Sequence, residues 1–225
     1  SKQSRTRCLV GLPLGECRAM TAQTFNFPNY GYLIDDVPFD ILSVLTNEVT
    51  LINDTSIAMN SILAGNLQEE YNISHIAPKL EPYILELLYK YDKDFNYLRT
   101  LVNLTDSVPF TMNDLWLNLQ RKNEFNPNHD HSGIMSFVIW LEIPYTREEE
   151  NLYSPGRESN KNCSGNFELL YTSTLGNISY LNVPTQEGKI LMFPNSMVHC
   201  VYPFYSSNKK RVSVSGNIYL KTDRD

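Results

Sequence analysis

Residues 123–144 read NEFNPNHDHSGIMSFVIWLEIP, and the rest of the chain can be read outward from them. His129 and His131 stand two apart, just before Ile134–Ile143, an apolar run rich in β-branched and aromatic side chains that predicts a strand. On an extended chain residues i and i+2 leave the same face, so both imidazoles can share a target while Asp130 points away. This is the spacing of a metal-ligand pair. A third histidine, His199, lies in a second β-like segment, FPNSMVHCVYPF (193–204), and of the four histidines only His75 lies outside the two segments.

Beyond residue 105 the pattern is of short β-like runs separated by Pro, Gly and Asn: Thr111–Leu119, Ile134–Ile143, Phe167–Thr172, Asn177–Val183, Lys189–Phe193, Val198–Tyr202 and Val212–Leu220. Many short strands in one half predict an antiparallel sandwich or barrel. Tyr145–Gly165, polar and without periodicity, is expected to be a mobile surface loop, with a lid as one use for it. In the first half, Thr24–Val37 suggests an edge strand and a turn. Pro38 fits the first turn of a helix capped near Asp36, whose stripe is Phe39, Leu42, Leu45, Val49 and Ile52. A longer helix, Lys79–Leu98, carries Leu80, Ile84, Leu87, Tyr91, Phe95 and Leu98 at helical spacing, with Pro82 placed in its first turn. The stretch between them, Met59–Ile76, reads as a helix end plus a loop, and His75 as a structural or surface residue.

A chain of 225 residues is long enough for one domain with a sizeable core: residues 1–105 as N-terminal strand and helical support, 106–225 as a β core with the site. The net charge of −6, with no basic cluster denser than Lys209–Lys210–Arg211, argues against a nucleic-acid partner. A small molecule or a protein side chain is the more natural substrate, and a homodimer is compatible with the composition. No apolar run approaches the ~18 residues of a membrane span, and no signal peptide is legible, so the expected location is cytoplasmic, the host cytoplasm if the chain is phage-encoded. Cys8, Cys17, Cys163 and Cys200 form no CxxC and are expected as free thiols. Five N-x-S/T sequons, at Asn53, Asn72, Asn103, Asn162 and Asn177, are read as chance in an Asn-rich chain.

Two histidines on one strand and one on a distant strand can converge inside a small barrel, leaving positions on a metal open. Arg211 follows in KKRVSVSGNIYL and shares a strand face with Ser213. A buried guanidinium beside a hydroxyl suits a carboxylate, which it can grip bidentately. Trp116 and Trp140 read as core and pocket wall.

His129-x-His131, the following SGIMSFVIWL, and GKILMFPNSMVHCVYPF with KKRVSVSGNIYL resemble the 2-oxoglutarate/Fe(II)-dependent oxygenases, most of all phage and bacterial members distantly similar to prolyl hydroxylases. The resemblance covers roughly Leu115–Leu220, with Gly188 and Phe193–Pro194 matching the turn and strand before the distal histidine. It implies a double-stranded β-helix (jelly-roll or cupin-like) core in an α+β, mainly β chain, with N-terminal helices packed on the sheet. It also implies Fe(II), 2-oxoglutarate and O2 as cofactors, and hydroxylation of a substrate C–H with release of succinate and CO2. His129 and His199 match the first and distal metal ligands, Arg211 with Ser213 the cosubstrate anchor, and Asn123 and Asn126 are candidates for hydrogen bonds to the cosubstrate. The departure is at the second ligand: the common pattern has a carboxylate where this chain has His131, unless a bulge turns Asp130 inward. Three imidazoles leave the site one negative charge short of the common triad. Two other readings stay open: a cupin-like three-His metal enzyme that does not use 2-oxoglutarate, and a non-catalytic β-sandwich binding module.

Overall fold

The computed structural model describes residues 30–98 and 109–221. Among these residues ten strands and three α-helices follow in the order β1 (Leu33–Asp36), α1 (Phe39–Leu51), β2 (Glu70–Asn72), α2 (Ala77–Phe95), β3 (Phe110–Gln120), β4 (Asn126–His129), β5 (Met135–Glu142), α3 (Arg147–Tyr153), β6 (Phe167–Thr172), β7 (Ile178–Val183), β8 (Lys189–Pro194), β9 (His199–Val201) and β10 (Arg211–Leu220), with a 3-10 turn at Ser74–Ile76 before α2. They form two antiparallel sheets, a six-stranded one ordered β1-β8-β5-β10-β3-β2 and a four-stranded one ordered β4-β9-β6-β7. This is the expected mainly β architecture, a two-sheet β-helix with α1 and α2 on one side.

The large sheet is covered on both faces, which explains why β5 reads as an unbroken apolar run rather than an alternating one. Its outer face packs Met135, Phe137, Ile139, Val212, Val214 and Ile218 against α1 and α2. Its inner face sends Val138, Trp140, Leu191 and Phe193 against Phe167, Leu169 and Val183 of the small sheet. The polar residues of β10 alternate with that outer core: Arg211, Ser213 and Ser215 turn inward and pair across the ladder with Gln120, Asn118 and Trp116 of β3. A polar stripe thus runs between the sheets, and the site is built on it.

Helix α2 buries Ala77, Leu80, Ile84, Leu87, Leu88 and Tyr91, close to the expected stripe. Full burial of each Leu or Ile contributes about 1.5–3 kcal/mol. The helix ends at Asn96, whose φ of 50° is the left-handed turn that asparagine tolerates. It starts two residues before the expected Lys79, so Pro82 lies inside the helix rather than in its first turn. In α1 the buried residues are Ile41, Leu45 and Glu48 while Phe39 is 84% exposed, so the stripe is rotated from the expected one. Glu48 is buried because His75 Nε2 meets its carboxylate at 2.9 Å, which makes His75 a structural partner. Asp36 does not cap α1; its carboxylate takes Lys189 at 2.6 Å.

Two further expectations need correction. Strands β1 and β2 are the two edges of the large sheet, so the first half of the chain completes the β core as well as supporting it. Tyr145–Gly165 is not an aperiodic loop. Thr146 and Glu149 form a capping box that starts α3, and buried Glu150 accepts from the Tyr205 and Ser206 amides and the Ser206 hydroxyl. Arg147 ties the far end by donating to the Ser164 and Asn162 carbonyls. Cys163 and Cys200 are free thiols, while Cys8, Cys17 and Thr24–Asn29 of the proposed edge strand lie outside the described residues. Among the described residues no helix is long and apolar enough to cross a membrane.

Candidate functional site

The pairing of β4 with β9 sets His129 directly opposite His199. His131 lies past the end of β4, in the link that carries the chain from the small sheet to β5 in the large one. That link is clamped by two reciprocal bonds, His131 N to the Asn195 carbonyl at 3.0 Å and Asn195 Nδ2 to the His131 carbonyl at 2.8 Å. Gly133 makes the turn at φ 102°, and a Cβ there would stand 2.7 Å from the Ile218 carbonyl oxygen. His129 and His131 therefore converge through a strand end and a turn, rather than on one face of the strand that continues into Ile134–Ile143.

The outcome is a compact cluster. Ring centroids lie 4.2 Å apart for His129 and His199, and 5.0 Å for each with His131. One nitrogen from each ring lies within 4.8 Å of the others. Asp130 is exposed and outside this group, so no bulge turns it in toward the histidines. His129 Nδ1 sits 2.7 Å from the Pro127 carbonyl and His199 Nδ1 3.0 Å from the Met197 carbonyl. A carbonyl can only accept, so each Nδ1 carries the proton and each Nε2 keeps its lone pair. His199 is stacked on Phe167 and edged by Phe193, and Trp116 lies against His131.

Burial is the first cause that lowers the pKa of all three rings, and mutual repulsion adds to it for His131 and His199. His131 is held at about 4 and His199 well below its ordinary value. At neutral pH the cluster is three uncharged imidazoles, the form that binds a metal. This donor set fits a divalent transition metal, with one face of the ion supplied by protein and the rest open.

The cleft beside the histidines is lined by the polar stripe: Asn118, Gln120, Arg211, Ser213 and Ser215, with Glu70 and Asn126 at its edge. Arg211 is 2% exposed, and its five N–H bonds all have acceptors. Nε donates to Gln120 Oε1 at 3.0 Å and Nη2 to the same oxygen. Nη1 donates to the Tyr145 hydroxyl at 2.7 Å and the Gly165 carbonyl at 2.8 Å, and Nη2 also reaches the Tyr202 carbonyl at 3.3 Å. Asn123 stands apart. It is exposed, has a φ of 70°, and gives its amide to the Phe204 carbonyl, so it shapes the β3–β4 turn and does not line the cleft.

Residues 114–217, just under half of the chain, match the family described as “Putative 2OG-Fe(II) oxygenase”. This segment is similar to the 2-oxoglutarate/Fe(II)-dependent oxygenases. It contains all three clustered histidines, Arg211 and Ser213. The family's enzymes use Fe(II), 2-oxoglutarate and O2. No curated protein matches the chain by sequence. Among solved structures, a prolyl-4-hydroxylase from Pseudomonas putida is similar at 14% identity and a TM-score of 0.51, over 86% of this chain and 94% of that one. HygX from Streptomyces hygroscopicus, with nickel, 2-oxoglutarate and hygromycin B bound, is similar at 11% identity and the same TM-score, over 84% and 83%. At such identity these likenesses establish the fold, and the family rests on the matched segment.

Glu70, Asn118, Gln120 and Tyr145 line or brace the oxygenase cleft without having been singled out by sequence. For two of them a signal was present: Trp116, Asn118 and Gln120 alternate along β3 at the strand period, which marks one inward polar face. Nothing in the sequence marks Glu70 or Tyr145, because each reaches the cleft from a segment distant in the chain.

Proposed function

We propose that the protein is a 2-oxoglutarate-dependent dioxygenase that hydroxylates a C–H bond of a small molecule or a protein side chain. The convergence of three neutral imidazoles, two of them oriented by backbone carbonyls, carries the reading. Nε2 of His129, His131 and His199 would hold the Fe(II), with Asp130 left outside the ligand set. When bound, Fe(II) with O2 and 2-oxoglutarate supplies the oxidation, placing one oxygen atom in the substrate C–H and the other in succinate as CO2 leaves.

The chain's own residues position and shield. Gln120 Oε1 stands astride Arg211 Nε and Nη2, the place a carboxylate oxygen takes on a guanidinium fork. The distal carboxylate of 2-oxoglutarate would take that place, with Ser213 as its neighbouring donor and the Tyr145 and Gly165 bonds holding the fork still. Trp116, Phe167 and Phe193 wall the metal side and keep water out. Asn126, on the same strand as His129, is near enough to the cleft to orient a ligand.

The test is succinate formation by the purified protein given Fe(II), 2-oxoglutarate and O2, with bound iron measured in the same samples. His129→Ala and His199→Ala should each abolish both signals. Undiminished iron in both variants would remove the metal centre. The saturation of Arg211 by protein acceptors favours one second reading, a three-His metal enzyme without 2-oxoglutarate. Its mark would be iron binding and O2 uptake with no succinate.

A further inference from the structure

Four buried polar side-chain atoms lack a hydrogen-bond partner among the described residues, and three of them line the oxygenase cleft: Glu70 Oε1, Asn118 Oδ1 and Asn126 Oδ1. All three are acceptors. Glu70 is 0% exposed and Asn118 7%, so these are groups whose desolvation is already in place and whose bonds are missing. Glu70 lies on the β2 edge of the large sheet beside Asn118, and Asn126 on the β4 edge of the small one. They meet where the two sheets part. Gly65 stands between them: a Cβ there would lie 2.7 Å from Glu70 Oε1 and 3.1 Å from Asn126 Oδ1, so the two oxygens reach toward one point. The loop carrying Gly65 is clipped over this opening by Asn66 N to the Phe125 carbonyl at 2.9 Å and Met59 N to the Glu70 carbonyl at 2.7 Å.

The approach from outside has the same character. The neighbouring cleft, which shares Leu63, Ala64, Trp116, His129 and His131 with the first, adds Asp114 and Asp130. Across both clefts the one lysine or arginine among the described residues is Arg211, whose donors are taken. Three unpartnered acceptors with no free cation beside them, entered past two carboxylates, match a ligand that brings donors and positive charge.

We propose that the substrate presents a cationic nitrogen, an ammonium or a guanidinium, which is received by Glu70 with Asn126 and Asn118 at the edge of the cleft. This rests on the dioxygenase reading and names the substrate class for it. Glu70 is the anchoring carboxylate, Gly65 is the residue whose missing side chain leaves the space, and Asp114 and Asp130 attract the charge on entry. Burial and the nearby Glu124 carboxylate raise the Glu70 acid to about 7, because the buried anion has no counter-charge beside it. Strand spacing of about 4.8 Å puts β2 about 10 Å from β10, so the cation and the 2-oxoglutarate carboxylate on Arg211 occupy opposite ends of the stripe.

The experiment is calorimetric titration, without O2, of protein loaded with Fe(II) and 2-oxoglutarate, loading being verified first. Butylammonium and butylguanidinium are compared with butylurea, the neutral counterpart of the guanidinium. In a parallel arm Gly-Gly-Lys-Gly-Gly and Gly-Gly-Arg-Gly-Gly are compared with the citrulline peptide, which separates a free amine from a peptide-borne one. In at least one arm a cation should bind at least about tenfold more tightly than its urea counterpart, and Glu70→Gln should remove that preference. Gly65→Ala, which displaces the carboxylate without altering any charge, should weaken the cation as well and stands in if Glu70→Gln does not fold. Equal binding of charged and neutral probes, no binding of any cation, or a preference that survives both variants would overturn the proposal. A protein that never takes up Fe(II) and 2-oxoglutarate would instead overturn the dioxygenase reading, before any probe is added.

Discussion

Arg211→Lys is the sharpest single test of the cosubstrate end. The guanidinium makes five N–H contacts with Gln120, Tyr145, Gly165 and Tyr202, in a site 2% exposed. An ammonium offers three donors and no fork, so at least two of those contacts are lost while the charge stays. In a buried site each lost charge-assisted bond costs about 1.5–3 kcal/mol, giving a destabilisation of about 3–6 kcal/mol if nothing rearranges. For a domain of this size that is a fall in melting temperature of about 6–24 °C. If the fork also anchors 2-oxoglutarate, its affinity should fall about tenfold to a hundredfold. Urea unfolding supplies the stability change, and separate titrations of Fe(II) and 2-oxoglutarate supply the rest. Iron uptake should survive, because Arg211 is not among the histidine cluster. Unchanged stability would mean the five contacts are not made in solution. Equal 2-oxoglutarate affinity in the two proteins would mean that Arg211 braces the cleft and does not hold the cosubstrate.

Gly133→Ala should destabilise the fold by about 1–3 kcal/mol and lower iron affinity, since its φ of 102° disfavours a side chain and the new Cβ would press on the Ile218 carbonyl beside His131. Thermal melts with iron titration check it, and an unaffected iron site would show that His131 does not depend on this turn. Leu87→Asp, at a position 4% exposed under the large sheet, should cost about 3 kcal/mol or more and leave little soluble protein; a stable variant would show that the α2 stripe is free to face a partner. For pH, the three clustered histidines titrate below their ordinary value of 6.5 when folded, with His131 at about 4, so between those values the unfolded chain binds more protons. Stability of the iron-free protein should be fully present above pH 6.5 and fall as pH drops toward 4. Glu70, raised from 4.5 to about 7, works in the opposite sense, so Glu70→Gln should steepen that fall. Melting temperatures across pH 4–7.5 in chelator decide it, and a profile flat in both proteins would refute the buried, neutral cluster.

The chain announces its β core plainly. The seven expected β runs each meet an observed strand to within two residues, because an antiparallel strand with a packed face is written in its own local pattern. The short strands β2 and β4 escaped that reading: three or four residues cannot display a period, and NPNH has no apolar face to show. Helix α3 escaped because its stability comes from a capping box and from buried Glu150, not from an apolar stripe. The rotated stripe of α1 has a similar cause, since Glu48 is buried through a partner 27 positions away in His75.

For the site, residue types and spacing sufficed to nominate His129, His131, His199, Arg211 and Ser213, and the β-strand period sufficed to put Arg211 and Ser213 on one face. Which second-position residue joins the histidines was left open by sequence, since regular and bulged chains are both compatible with His-Asp-His. In the tertiary structure the Asn195 clamp and the Gly133 turn set His131 beside His129 and His199 and leave Asp130 exposed. Tertiary structure also brings the unpartnered acceptors together. Glu70, Asn118 and Asn126 come from three strands in two sheets, and their common feature, an oxygen with no donor in reach, exists only once the sheets are closed around it. Local pattern records which face a residue turns to, because that follows from backbone geometry alone. What that face meets depends on contacts between segments far apart in the chain, and no local window of sequence contains them.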